Sequence, residues 1–166
     1  SEEGDWYIGN LSTTDSTGNT RYYTPTDFDT LGLDYTLHVI SNTDNTAPAL
    51  ISFSFTPDTI NTINSDADVL MTVTANDDIS GFSRAWVRWY SPSTNNQISI
   101  HIYPSSSDSI SSNGDHTIQE ILNFSQYSEE GDWYIGNLST TDSTGNTRYY
   151  TPTDFDTLGL DYTLHV

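Results

Sequence analysis

Residues 69–90 read VLMTVTANDDISGFSRAWVRWY, and their period decides the fold. Val69, Met71, Val73 and Ala75 alternate with Leu70, Thr72 and Thr74. After a polar loop, Ala85, Val87 and Trp89 alternate with Arg84, Trp86, Arg88 and Tyr90. Successive side chains of a strand point to opposite faces, so each run is a half-buried strand. The alternation continues on the C-terminal side, where Ile98, Ile100 and Ile102 interleave with Gln97, Ser99, His101 and Tyr103. Further strands are expected at Leu50 to Phe55, Thr117 to Leu122 with its phase open, Trp133 to Leu138, Arg148 to Thr151, and Leu160 to Val166. In the last of these, Leu160, Tyr162, Leu164 and Val166 face one way. Trp133 and Ile135 keep period two but Leu138 needs one extra residue, which predicts a bulge at Gly136-Asn137. Threonine, serine, asparagine and aspartate dominate the polar positions, which disfavours helices. The expectation is an all-β protein, an antiparallel, immunoglobulin-like β-sandwich of 7–8 strands, with a barrel as the alternative.

Residues 1–39 recur letter for letter as residues 128–166, an offset of 127. Fold constraints alone tolerate many surface substitutions, so this identity points to a recent duplication of a domain-sized unit. The expected layout is a tandem repeat of 127 residues. Residues 1–39 are then the C-terminal strands of a preceding repeat, 40–48 a linker, and 49–166 a complete sandwich. That layout leaves Trp6, Ile8, Leu37 and Val39 in need of strands from another molecule or, as we expect, from an earlier repeat of a longer array.

The composition narrows the function. Of 166 residues, 34% are apolar; 23 are acidic and only four basic, all arginine (Arg21, Arg84, Arg88 and Arg148), for a formal charge of −19. Nucleic acid and anionic membrane surfaces are poor partners for such a chain. With no cysteine, disulfides and thiolate metal sites are excluded. No apolar run approaches the ~18 residues of a membrane span, and the opening Ser1-Glu2-Glu3 reads as neither signal peptide nor anchor, so direct membrane insertion is not expected.

Oxygen-ligated metals remain. In an immunoglobulin-type topology, the point where the chain enters, the loop after the second strand and the loop before the last strand share one pole. Asp44, Asp77, Asp78, Asp142 and Asn146 then gather there; Asp15 and Asn19 are the copies of Asp142 and Asn146 in residues 1–39. Carboxylates brought together need a cation, and hard oxygen ligands in loose geometry match Ca2+ better than magnesium. The competing explanation is ordinary turn chemistry, since Asp and Asn before Gly bond their own amides. A cation holding the linker and two loops would remove hinge freedom between units.

The linker end Asn45-Thr46-Ala47-Pro48, the loop Asp77-Asp78-Ile79-Ser80-Gly81, the stretch Gly131-Asp132-Trp133 and the turn Asp142-Ser143-Thr144-Gly145-Asn146 resemble bacterial immunoglobulin-like tandem repeats. Such repeats form the extender region of large, calcium-dependent RTX-type surface adhesins of Gram-negative bacteria. The resemblance covers nearly all of 44–166. It implies a calcium-rigidified spacer outside the cell that holds a ligand-binding domain away from the outer membrane, with adjacent identical repeats as its partners.

Other features carry less. Arg84, Trp86, Arg88 and Tyr90 share one strand face, which suggests a carbohydrate-binding module or, more simply, arginines laid across aromatic rings. Thr72 and Thr74 form only a pair, too few for a flat threonine array. His38, His101, His116 and His165 lack helical metal-ligand spacing. No nucleophile elbow is present, so an enzyme is not expected. Asn123-Phe124-Ser125 and Asn137-Leu138-Ser139 match the glycosylation pattern, which means little in a bacterial chain.

Overall fold

The computed structural model describes residues 3–41, 43–106 and 108–166. The chain forms two compact units that divide between Thr43 and Asp44. The segment read as a linker is therefore split: Asp44 to Pro48 belongs to the second unit, and Asn42 lies outside the described residues, as do Ser1 and Glu2 of the repeat.

The second unit is an antiparallel β-sandwich. One sheet holds β5 (Ala49–Thr56), β6 (Ala67–Asn76), β10 (His116–Phe124) and β9 (Ser109–Ile110), in the order β5-β6-β10-β9. The other holds β12 (Thr147–Tyr150), β11 (Asp132–Asp142), β7 (Phe82–Tyr90) and β8 (Gln97–Ile102), in the order β12-β11-β7-β8, with β13 (Thr163–His165) also paired to β11. Named A to G along the chain, with β8 as an extra edge strand, these are the ABED and CFG sheets of the immunoglobulin topology.

The core is the set of inward positions that the alternation marks. Val69, Met71, Val73 and Ala75 face Ala85, Val87 and Trp89 across the sandwich, joined by Ile118, Leu122 and Phe124 of β10. Trp89, Trp133 and the Phe55 and Phe124 rings meet edge to face at 5.0–6.1 Å, the arrangement that aromatic quadrupoles favour. The phase of β10 is settled by Ile118, Leu122 and Phe124 pointing inward, while Ile121 is exposed.

The expected bulge is present: the pairing of β11 with β7 slips between Ile135 and Asn137. Gly136 is needed there, because a Cβ would meet the Tyr90 ring at 2.5 Å. Tyr90 in turn stacks on Tyr134, with centroids 5.7 Å apart. The bulge divides the β11 edge, so that β13 pairs Asp132–Tyr134 and β12 pairs Leu138–Thr141.

Between β12 and β13 the chain forms a helix, α2 (Pro152–Leu158), in a stretch for which the alternation predicts no element. Its signals are local. Thr151 donates from both its backbone N–H and its hydroxyl to Asp154, proline takes the first turn, and Gly159 closes the helix with φ 68°. Those two hydrogen bonds hold the Asp154 carboxyl below the usual carboxylate range. Phe155 on this helix packs edge-on against Phe53, at 5.0 Å, and caps the core. Leu160, Tyr162, Leu164 and Val166 do share an inward face; Thr163–His165 is the strand, and the backbones of Tyr162 and Val166 extend its bonding to Ile135 and Gly131.

The ends of the unit lie at opposite poles. Ala49 pairs with Asn76 at the pole that also carries Asp142, whereas Val166 bonds to Gly131 at the start of β11. Near Val166, His165 forms a parallel bridge with Thr59, made by Ile60 N–H to His165 O at 2.8 Å and His165 N–H to Asp58 O at 3.0 Å.

The first unit contains the same 39 residues in another state. It has β1 (Gly4–Tyr7) paired with β4 (Thr36–Val39), β2 (Leu11–Thr14) paired with β3 (Thr20–Tyr23), and the helix α1 (Pro25–Leu31). Helix α1 keeps the capping of α2, and Phe28 is buried against Tyr35. Strand β11 is one strand of 11 residues, whereas its copy is broken at residues 8–10 into β1 and β2. Trp6, Ile8, Leu11 and Leu37 are 46–65% exposed, against at most 2% for Trp133, Ile135, Leu138 and Leu164.

This duplication makes a controlled comparison. Leu138→Ala should destabilise the second unit by about 2–5 kcal/mol, as for a fully buried leucine. Leu11→Ala, the same change in the other copy, should leave that transition within ~0.5 kcal/mol of wild type. Urea unfolding followed by tryptophan emission measures both.

Candidate metal centre

Three hydrogen bonds fix the pole where the second unit begins. The Pro48 carbonyl accepts from the buried Thr140 hydroxyl at 2.6 Å and from the Tyr150 hydroxyl at 3.3 Å, and the Tyr150 oxygen accepts the Leu50 N–H at 2.7 Å. Residues 44–48 are thereby tied to β11 and β12, which places Asp44 between two loops.

Those loops hold their own acids. Asp142 closes the β11–β12 turn: its Oδ1 accepts the backbone N–H groups of Thr144, Gly145 and Asn146 at 2.6–2.8 Å, and its Oδ2 accepts the Asn146 side-chain amide at 2.6 Å. Asp77 caps the β6–β7 loop, with Oδ2 accepting the Gly81 N–H at 2.7 Å. Asp44 bridges both, its Oδ2 accepting the Ser80 N–H at 2.9 Å and its carbonyl the Asn146 amide at 3.1 Å. One carboxylate oxygen from each of Asp44, Asp77 and Asp142 lies within 4.8 Å of the other two.

The electrostatics of this group are mixed. Hydrogen bonds from Ser80 and Thr46 hold the Asp44 carboxyl below its ordinary range, against repulsion from Asp142. Burial pushes the Asp142 carboxyl up, yet the donors on Asn146, Thr144 and Gly145 together outweigh it and leave the group lowered. Asp44 and Asp142 therefore both favour the ionised form, and two anions are held side by side. The remaining oxygen of Asp77, Oδ1, is buried and accepts no hydrogen bond. A buried carboxylate oxygen without a donor is costly, and a cation seated among the three acids would satisfy it. The donor set is all hard oxygen, the ligand type that hard divalent cations take, with no thiolate or imidazole among the three.

Of the residues expected at this pole, Asp44, Asp77 and Asp142 converge, and Asn146 joins them through its amide nitrogen. Asp78 is exposed and outside the group. In the first unit, Asp15 and Asn19 keep the turn, with Asn19 donating to Asp15 Oδ2 at 2.9 Å and its backbone N–H to Oδ1 at 2.9 Å. Those bonds lower the Asp15 pKa, the Asn19 side chain first. Among the described residues Asp15 belongs to no cluster of three such side chains. Sequence reasoning missed Ser80, Thr140 and Tyr150, which orient the site. The Tyr150 hydroxyl carries no signal beyond its place beside an inward apolar position.

On the outer face of β7, the Arg88 guanidinium lies 4.5 Å above the Trp86 ring, the simpler of the two arrangements expected there. A shallow groove beside it is lined by Arg84, Trp86, His101, Ser139, Thr141 and Tyr149.

No protein-family model matches this sequence, and no curated protein matches it.

Because Asp44 and Asp142 have folded-state pKa values below their unfolded ones, the stability they contribute is complete above the unfolded carboxylate value, near 4, and is lost as pH falls through the folded values. Metal-free protein should therefore lose stability progressively below about pH 4, and Asp142→Asn should flatten that slope. At neutral pH, Asp142→Ala strands three backbone donors and should cost about 2–4 kcal/mol. Chemical denaturation across pH checks both.

Proposed function

We propose that residues 44–166 are a non-catalytic spacer unit that takes up a calcium ion at Asp44, Asp77 and Asp142, one of a series of such units extending a bacterial surface adhesin outside the cell. The observation that carries this reading is the convergence of three acids from three distant parts of the chain, with Asp77 Oδ1 buried and without a donor. Turn chemistry alone accounts for Asp142 in its own loop. It does not account for Asp44 and Asp77 arriving beside it.

Calcium bound there would neutralise the acids and reinforce the hydrogen bonds that already hold Asp44, the first residue of the unit, to both loops. Fixing Asp44 leaves only residues 40–43 between the units, which limits how far consecutive units can bend. Sites of this kind in extracellular modules bind calcium at roughly 0.1–1 mM, so the ion would be present outside a cell and absent in the cytosol. The recurrence of 39 residues at an offset of 127 supports an array, with adjacent repeats as the partners of the spacer. The position of the two ends at opposite poles supports end-to-end growth. A carbohydrate-binding module is the second reading, and it has less support, because Arg88 covers one face of Trp86 and Tyr90 stacks on Tyr134.

The test is thermal unfolding in chelator and in calcium. At calcium near 100 times Kd the stabilisation is about 2.7 kcal/mol, which for a unit of this size raises Tm by roughly 10 °C. Asp77→Asn should abolish most of the rise, and magnesium should give less of it. A Tm indifferent to calcium overturns the metal site, and a glycan-dependent change in Trp86 fluorescence would favour the second reading.

A further inference from the structure

The groove on the outer face of the β12-β11-β7-β8 sheet, about 460 Å³, is built from two rows of paired residues. In the first row Tyr149, Ser139, Trp86 and His101 stand opposite one another across all four strands. In the second, Thr147, Thr141 and Arg84 do the same across three. The walls are therefore aromatic and the floor is hydroxyl. None of these seven lining residues is acidic, in a chain that carries 23 acids. Arg88, which lies over Trp86, belongs to the next row with Ser99 and Asn137 and stays outside the groove.

Two groups in the groove lack a partner. Ser139 is only 5% exposed, yet its hydroxyl makes no hydrogen bond among the described residues. Arg84 is exposed and forms no ion pair with a carboxylate among those residues. Buried polar groups are normally satisfied, so the Ser139 hydroxyl is a place where a ligand gains a hydrogen bond. The spacing sets the ligand's shape. Trp86 and Tyr149 are two strands apart, so their bases stand roughly 9.5 Å from each other. A ring touching both at carbon–carbon contact distance needs about 7–8 Å.

We propose that this groove binds one sugar ring bearing a carboxylate, a uronic or sialic acid unit of an anionic polysaccharide. The ring's C–H faces lie between Trp86 and Tyr149, its hydroxyls meet Ser139, Thr141 and Thr147, and its carboxylate takes the planar fork of Arg84. Charge selects this class. At a formal charge of −19 most of the surface repels an anion, so an acid-free groove with an unpaired arginine is where a carboxylate is accepted. The site lies on the flank of the unit and needs neither the calcium ion nor the array, so it stands or falls apart from the spacer reading. From the second reading it takes only Trp86, and it adds the charge of the ligand.

The test titrates the full chain with oligosaccharides of galacturonic, glucuronic and sialic acid, and with their carboxyl-reduced, neutral forms, followed by NMR shifts of the Ser139 amide and the Trp86 indole. Chelator is present throughout, so that no carboxylate is bridged to the acidic pole by calcium. One ring of about 13 non-hydrogen atoms should bind with a Kd of about 1 mM. The neutral form of the same sugar should bind about tenfold more weakly, the loss expected for a charge-assisted hydrogen bond. Arg84→Gln should bring the acidic sugar down to the affinity of the neutral one, and Trp86→Ala should weaken both. Tyr149→Ala, at a residue 68% exposed, should weaken both with Tm unchanged, which keeps the test decisive if the Trp86 variant fails to fold. Which acid binds most tightly identifies the source. The proposal is overturned if none of the three acids shifts these signals, if acidic and neutral forms bind equally, or if Arg84→Gln leaves the acidic affinity unchanged.

Discussion

The apolar stripe of Trp133, Ile135 and Leu138 organises the second unit, and it can do so only when another half-sandwich covers it. The same letters at Trp6, Ile8 and Leu11 stay half exposed, and there the strand breaks at residues 8–10. Local preference is identical in the two copies, so the difference belongs to tertiary burial, at about 1.5–3 kcal/mol for each side chain taken fully out of water. The helix behaves in the opposite way. Its capping box, proline and terminal glycine are all within ten residues, and it forms in both units. Short-range chemistry survives without the core, while the long central strand does not.

That asymmetry also explains what could be read from the sequence. Strands β6, β7 and β8 announce themselves by alternation, because one face is wet and the other dry. The bulge at Gly136 was legible from one broken period. Helix α2 was not expected because the polar composition pointed to strands, although Thr151-Pro152-Thr153-Asp154 carries a capping signal that outranks composition over a single turn. The alternation of Leu160, Tyr162, Leu164 and Val166 correctly marked a face, and the backbone bonding to β11 runs from Tyr162 to Val166, short only of Leu160, which follows the helix.

At the acidic pole, topology supplied the convergence and sequence could not supply the selection. Asp77 and Asp78 are neighbours with identical chemistry, and only the direction of the loop turns one inward and leaves the other exposed. Asp44 looked like part of a loose connector; in the structure it is a buried member of the folded unit, fixed through Pro48, Thr140 and Tyr150. Those anchors are ordinary residues whose role depends on a contact spanning about a hundred positions, which no local pattern records. The copies Asp15 and Asn19 make the same point: the turn is inherited whole, but the site is not.

The parallel bridge of His165 with Asp58 and Ile60 has a mechanical meaning. If tension is applied between Asp44 and Val166, the load runs along the strands, and the two bonds of that bridge lie across the line of pull. Bonds loaded in shear must fail together, whereas bonds peeled from an edge fail in turn. Under stretching, this clasp shares the load with the Val166–Gly131 pair, at the pole far from the acids.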